Sequence, residues 1–257
     1  MLVDSHCHLN LLDLTPFDGK LDGVMQAANA ADVKHMLCVS IDLQSLPQIL
    51  QYAERYENVL ASVGVHPNNS QDKVSVEQLT ALAVHNKVVA IGETGLDYFR
   101  TTGDNAWQRD AFRNHITAAK QSGKPLIIHT RQARNDTLQI MREEHAQDVG
   151  GVMHCFTETW EMAKAAIDLG FYISFSGIVT FKNAKALQEL AKKIPLESML
   201  IETDAPYLAP VPQRGKANYP AYVRHVAQFI AELRGESFAK IAQQTTENFF
   251  RLFQTSI

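Results

Sequence analysis

The apolar residues of this 257-residue chain gather into eight short runs, each closed by polar or turn residues. They are Leu2–His8, His35–Ile41, Val59–Val65, Val88–Thr94, Pro125–Thr130, Gly151–Phe156, Phe171–Gly177 and Met199–Asp204. Runs of this length and β-branched content predict strands. Between most of them the apolar positions recur at helical spacing, as at Leu46, Ile49, Leu50 and Ala53, and again at Ala163, Ala166 and Ile167. Gly123-Lys124-Pro125 ends one helix and begins the next strand in a single step. Strand and helix alternate eight times, the pattern of a parallel sheet closed on itself. The chain also has the ~250-residue size of a (β/α)8 TIM barrel. Beyond the last strand, Phe238, Ile241, Ala242, Thr245, Phe249 and Phe253 share one helical face, which predicts an extra C-terminal helix packed outside the barrel. No linker rich in Gly or Ser interrupts the pattern, so the expectation is one domain over 1–257.

Composition narrows the partners. Hydrophobic residues make up 46% of the chain, enough to fill a large core and to exclude disorder. A net charge of −4 gives no global attraction to phosphate, so a basic duplex-coating protein is excluded. No apolar run approaches the ~18 residues that span a bilayer, and the start, MLVDSHCHLN, lacks the basic and apolar regions of a signal peptide. Three cysteines, an odd and sparse count, argue against a disulfide scaffold and for a cytoplasmic location.

In a barrel of this kind chemistry sits at the C-terminal strand ends, because the loops there share one mouth. The first predicted strand ends in His6-Cys7-His8, the third in His66, the fourth in Glu93, the fifth in His129, the sixth in His154 and the eighth in Asp204. Alternation along a strand sends His6 and His8 into the barrel and Cys7 outward. By the same parity Cys7 and Cys155 are expected as buried, small apolar residues. Burying Glu93 and Asp204 without a cation would cost several kcal/mol each, and no Lys or Arg lies within these strand ends, which points to metal. Six converging donors exceed the needs of one catalytic ion, so two ions are expected. Glu93 would bridge them, with His6, His8 and Asp204 on one and His129 and His154 on the other. Nitrogen-rich ligation favours zinc, manganese, iron or cobalt on intrinsic grounds.

Six motifs in order, LVDSHCHL at the start, GVHP at 64–67, GETGLDY at 92–98, IHTR at 128–131, HCFT at 154–157 and ETDAPYLAP at 202–210, resemble the TatD family of metal-dependent deoxyribonucleases. The resemblance spans essentially the whole chain. It implies an amidohydrolase-like barrel, two divalent ions (Zn, Mn or Mg), and ligands at His6, His8, Glu93 and Asp204 for the first and Glu93, His129 and His154 for the second. The first-strand pair that some members lack is intact here.

The net positive charge of such a centre suits a monoanionic phosphodiester, and the metals would acidify a bridging water to a hydroxide that attacks phosphorus. Asp204 would position that nucleophile and take its proton, with Glu93 as the other catalytic carboxylate. Arg131 faces the mouth, as a phosphate contact or a rim salt bridge, and His66 is expected as a substrate contact, too far round the ring for a ligand. The proline-stiffened loop after the eighth strand carries Arg214 and Lys216, either over the mouth or simply solvated, with Tyr207 and Tyr219 for stacking on a base. Asp4 and Glu202, two residues deeper than a ligand, are expected to accept the second N–H of a ligating imidazole. Asp97, Tyr98, Trp160 and the histidines at 35, 85, 115, 145 and 225 are read as structural. The leading expectation is hydrolysis of single-stranded DNA or DNA ends by a possible monomer. The alternatives are an esterase or deacylase on the same metals, for example on aminoacyl-tRNA, a small-phosphoester hydrolase, or a non-enzymatic metal-stabilised scaffold.

Overall fold

The computed structural model describes residues 1–69, 73–101 and 103–255, and within them strand and helix alternate from the N-terminus onward. The first half runs β1 (Leu2–Cys7), α1 (Leu21–Ala30), β2 (Val33–Cys38), α2 (Leu46–Arg55), β3 (Val59–Val63), α3 (Val76–Ala83), β4 (Val88–Asp97) and α4 (Ala106–Ser122). The second runs β5 (Leu126–Arg131), α5 (Arg134–Glu143), β6 (Gly151–Met153), α6 (Trp160–Asp168), β7 (Phe171–Phe175), α7 (Lys185–Lys193), β8 (Met199–Ile201), α8 (Val223–Arg234) and α9 (Phe238–Phe253). All eight strands form one parallel sheet in chain order. Its two edges meet through a parallel bridge between Cys7 and Ala205, where His8 N–H donates to Ala205 O at 2.8 Å and Asp204 N–H to His6 O at 2.9 Å. This is the barrel that the alternation predicts.

Local chemistry sets the boundaries. Ser75 and Gln78 form a reciprocal cap at the start of α3, and Thr159 and Ser237 cap α6 and α9 through their hydroxyls. Gly123 closes α4 in the left-handed conformation at φ +65°, as the Gly-Lys-Pro step implies.

The C-terminal helix departs from expectation. Phe249, Phe250, Leu252 and Phe253 pack in one cluster with Val3, Leu37, Val39, Ala90, Ile127, Val152 and Leu200 from the strands. Asn248 Nδ2 donates to the carbonyls of Leu196 and Met199, and Thr246 Oγ1 to that of Met1, all at the N-terminal ends of β8 and β1. α9 is therefore not laid along the outside of the barrel. It closes the end opposite the strand C-termini, because its phenyl rings fill the opening that apolar side chains alone leave there.

Strand ends differ too. β6 stops at Met153 and β8 at Ile201, short of the expected Phe156 and Asp204, whereas β4 continues past Thr94 to Asp97. Cys155 at φ +44° and Asp204 at φ +57° take left-handed conformations that no ladder accommodates. His35, at the start of the second predicted strand, lies within β2 and away from its C-terminal end.

His115 on α4 is buried; its Nε2 accepts the Val65 N–H at 3.0 Å and its Nδ1–H donates to Ala111 O at 2.7 Å. The ring is thus held neutral, and burial pushes its pKa from 6.5 down to about 4. Below about pH 6.5 the unfolded chain takes up a proton there that the folded chain refuses until about pH 4, so this group removes stability as pH falls through that window. The full difference is about 3 kcal/mol. In His115→Gln, whose amide oxygen can accept from Val65, the fall in melting temperature between pH 6.5 and 4 should be shallower than in the wild type. Equal slopes would show that His115 is not the group responsible.

Candidate metal centre

A cavity of about 600 Å³ opens at the C-terminal ends of the strands, and His8, Glu93, His129, His154 and Asp204 line it. His6 lies buried behind them. The local backbone explains how each side chain arrives. In β1, Val3 belongs to the interior cluster and Ser5 Oγ reaches Ile201 O at 2.9 Å and Ser174 Oγ at 3.4 Å, so Asp4 between them faces away from the interior. The β1–β2 pairing is irregular between Asp4 and Cys7. That slip resets the alternation and turns His6 and His8 toward the cavity. In β4 the pairing with β5 is irregular between Ile91 and Thr94, bracketing Glu93. His154 and Asp204 stand on the first residues beyond β6 and on the left-handed turn after β8.

The donors fall into two sets that share one carboxylate. His6 Nε2 lies 3.3 Å from His8 Nε2, 3.4 Å from Glu93 Oε2 and 3.7 Å from Asp204 Oδ1. His8 Nε2 lies 3.4 Å from Asp204 Oδ1 and 4.0 Å from Glu93 Oε2. On the other side Glu93 Oε1 is 2.8 Å from His154 Nε2 and 3.2 Å from His129 Nδ1. Two donors bound tetrahedrally to one ion at about 2.0–2.1 Å sit about 3.3–3.4 Å apart, so the first set already has the spacing of a coordination shell. His154 Nε2, despite its short approach to Glu93, makes no hydrogen bond with proper geometry. The residues present fit a divalent cation.

Hydrogen bonds at the far side of each ring assign the ligand atom. His8 Nδ1–H donates to Val39 O at 2.9 Å, leaving Nε2 its lone pair. His154 Nδ1 faces Glu202 Oε1 at 3.2 Å, with the same result. His129 is reversed: Nε2–H donates to Asp97 Oδ2 at 3.1 Å, so Nδ1 points its lone pair at Glu93. Electrostatics agree with a cation site. Burial opposes ionisation of Glu93 and Asp204, yet the surrounding imidazoles hold both carboxyls below their usual range. Burial likewise opposes positive charge at His154, and Glu93 and Glu202 favour it, so a cation at this ring is stabilised by both carboxylates.

Other expected residues are placed variously. Glu202 contacts His154 as anticipated, but Asp4 does not touch an imidazole. Its carboxylate accepts the N–H of Thr203 at 2.8 Å and the hydroxyl of Thr203 at 2.5 Å, tying β1 to the segment after β8, and burial pushes its pKa up to about 8. The slip in β1 reverses the parity that strict alternation gives Asp4. His66 is nearer than expected, with Nε2 3.3 Å from Glu93 Oε1. Its Nδ1 accepts the Asn68 N–H at 3.0 Å, so Nε2 carries a hydrogen and His66 acts as a donor. Tyr207 lines the cavity with its ring edge-on to His8 and 52% of its surface exposed. Arg131 lines the mouth, stacked on Phe99. Arg214 stacks on Phe181, and neither it nor Lys216 reaches the cavity. Tyr219 is buried, its hydroxyl donating to Asp13 O, and offers no face for a base. Cys7 is buried as expected; Cys155 is half-buried and lines the cavity beside Ser176.

Asp97, read as structural, holds the far nitrogen of His129 and also accepts from Asn68 Nδ2 at 3.0 Å. Burial opposes its ionisation, and these hydrogen bonds nevertheless keep the carboxyl well below its usual range. Asp97 has the parity of Glu93, and β4 runs three residues beyond its predicted end at Thr94 to include it. Asp97→Asn should weaken divalent-metal binding about 10–100-fold, measured by calorimetric titration with Mn or Zn. Binding equal to wild type would remove Asp97 from this role.

A model of the family described as TatD related DNase matches residues 3–254. YcfH of Escherichia coli K12, described as an uncharacterized metal-dependent hydrolase, is 51% identical over 252 residues, covering 98% of this chain and 95% of that protein. YabD of Bacillus subtilis, described in the same words, is 43% identical over 256 residues and 99% of each chain. The crystal structure of YjjV, a TatD homologue from Escherichia coli K12, matches with a TM-score of 0.90 at 30% identity, covering 99% of this chain and 98% of its own.

Proposed function

This chain belongs to the TatD-related DNase family and is a metal-dependent hydrolase, and from that premise we propose that it cleaves phosphodiester bonds in single-stranded DNA or at DNA ends. The carrying observation is that the two oxygens of Glu93 face two separate donor sets at ligand spacing. Such an arrangement suits two divalent ions, zinc, manganese or magnesium, with Glu93 between them. His6, His8 and Asp204 would complete one site and His129 and His154 the other. When bound, the ions would supply Lewis-acid stabilisation of the phosphoryl oxygens and an acidified water as nucleophile.

The chain's own groups do the rest. Asp204 has 13% of its side chain exposed against 4% for Glu93, so it is the carboxylate that an attacking water can reach, and it accepts the water's proton. His66, a fixed donor through Nε2–H, holds a non-bridging phosphate oxygen. Tyr207 presents its exposed ring to a base. Only a narrow strand enters a cavity of about 600 Å³, so bases must be unpaired to reach the centre. No helix among the described residues is long and apolar enough to cross a membrane.

The test is direct. Protein stripped with a chelator should be inactive, and re-addition of Mn, Zn or Mg should restore nucleotide release from single-stranded DNA. Restored hydrolysis of a carboxylic ester with none of DNA would transfer the assignment to an esterase.

A further inference from the structure

Where the mouth of the cavity meets β4 and β5, the guanidinium of Arg131 lies 3.7 Å above the ring of Phe99, which is 53% exposed. Arg100 lines the same rim. The arginine ion pairs among the described residues belong to Arg55, Arg109, Arg113 and Arg134, so Arg100 and Arg131 have none. Two arginines without an ion pair among the described residues and an exposed aromatic face thus share the rim of a cavity lined by three carboxylates. Their chemistry matches one phosphate and one base.

The platform is preorganised and tied in register to the metal centre. Asp97 Oδ1 accepts the Phe99 N–H at 3.0 Å while its Oδ2 accepts from His129, so one carboxylate fixes both. Thr101 Oγ1 donates to Asp97 O and pins the same turn. The β4–β5 pairing sets Gly95 beside His129 and Asp97 beside Arg131. Arg131 thus stands two residues beyond His129 on the same face, about 7 Å along the strand, the scale of one nucleotide step. In an eight-stranded barrel β4 lies across the mouth from the segment after β8 that carries Tyr207.

We infer that Phe99, Arg100 and Arg131 form a subsite for the nucleotide flanking the scissile phosphate, its base stacked on the Phe99–Arg131 pair and its phosphate held by the arginines. This deepens the nuclease reading and rests on it. A single strand would then cross the mouth with one base against Tyr207 and the next against this platform, the hydrolysed bond between them over Glu93.

The experiment uses the full, metal-loaded chain with a short single-stranded oligodeoxyadenylate and, as a second substrate, bis(p-nitrophenyl) phosphate. Phe99→Ala should raise KM for the oligonucleotide about tenfold with little change in kcat, shrinking its advantage over the small diester by the same factor. Phe99→Trp should restore the wild-type value. Arg131→Ala should lower the slope of log binding against log salt by about 0.7, one phosphate contact on a single strand. An oligonucleotide with an abasic residue beside the scissile phosphate should erase the difference between wild type and Phe99→Ala. If the wild type cleaves the oligonucleotide but both variants keep its KM and salt slope, or if the abasic substrate shows the same loss, the subsite is overturned and the nuclease reading stands. If the wild type cleaves no oligonucleotide at all, that reading falls and takes the subsite with it.

Discussion

Glu93→Gln should lose divalent-metal stoichiometry and lower phosphodiester turnover by about 10³-fold or more. The side chain keeps its shape, but an amide cannot face both donor sets with anionic oxygens as Glu93 Oε1 and Oε2 do. Lewis-acid stabilisation of a phosphoryl transition state is worth several kcal/mol, and each 1.36 kcal/mol is a factor of ten in rate. Plasma emission spectrometry of the loaded variant and a single-stranded DNA assay read the two effects separately. A variant that binds a full complement of metal and turns over within tenfold of wild type would falsify the shared-carboxylate centre. Loss of metal with an unchanged fold, judged by circular dichroism, is the expected outcome, since Glu93 is one buried side chain in a barrel held by apolar packing.

Gly95→Ala is expected to be among the most destabilising single substitutions at the rim. Gly95 has φ +127°, a region that side chains rarely adopt, and a Cβ there would overlap the carbonyl oxygen of His129 on the paired strand. Strain at such a backbone position costs about 1–3 kcal/mol and forced overpacking about as much again. A loss of about 4 kcal/mol would be a large share of a typical domain's 5–15 kcal/mol. At this chain length the melting temperature should fall by roughly 8–16 °C. The displaced neighbour is His129 itself, so metal binding should weaken alongside stability. A melting temperature within about 2 °C of wild type would mean that the two strands can separate at little cost, contrary to the packing described.

The barrel was legible because its determinants are local and repeated. Strands buried on both faces must be short apolar runs, and Gly123, Ser75 and Ser237 end or start helices by their own conformational chemistry. The convergence of His6, His8, Glu93, His129, His154 and Asp204 follows from the same regularity, since parallel strands deliver their C-terminal residues to one rim. Strict alternation holds for His6, Cys7, His8 and Glu202, and departs from the structure where a ladder is interrupted or ends. Strict alternation gives Asp4 the parity of His6, and the slip in β1 reverses it. Hydropathy carries β6 and β8 past their ends, because left-handed residues at 155 and 204 leave no mark in it. Asp97 has the parity of Glu93, but the apolar run marks the end of the strand at Thr94, three residues before β4 stops.

Arg214 and Lys216 show a different limit. Their loop is stiff and follows β8, yet stiffness does not give direction, and Arg214 turns to Phe181 instead of the cavity. The same holds for α9: its apolar face is plain in the sequence, but an amphipathic face says only that it must be covered. By itself the sequence determined the alternation of elements, the closure into a barrel and the identity of the donors at its mouth, since these depend on spacing and residue type along the chain. Only the tertiary structure decided which nitrogen of each imidazole faces Glu93, that His66 is held as a donor, that Phe99 and Arg131 stack, and that α9 plugs the far end. Those outcomes depend on partners distant in the chain, whose hydrogen bonds and close contacts no local pattern encodes.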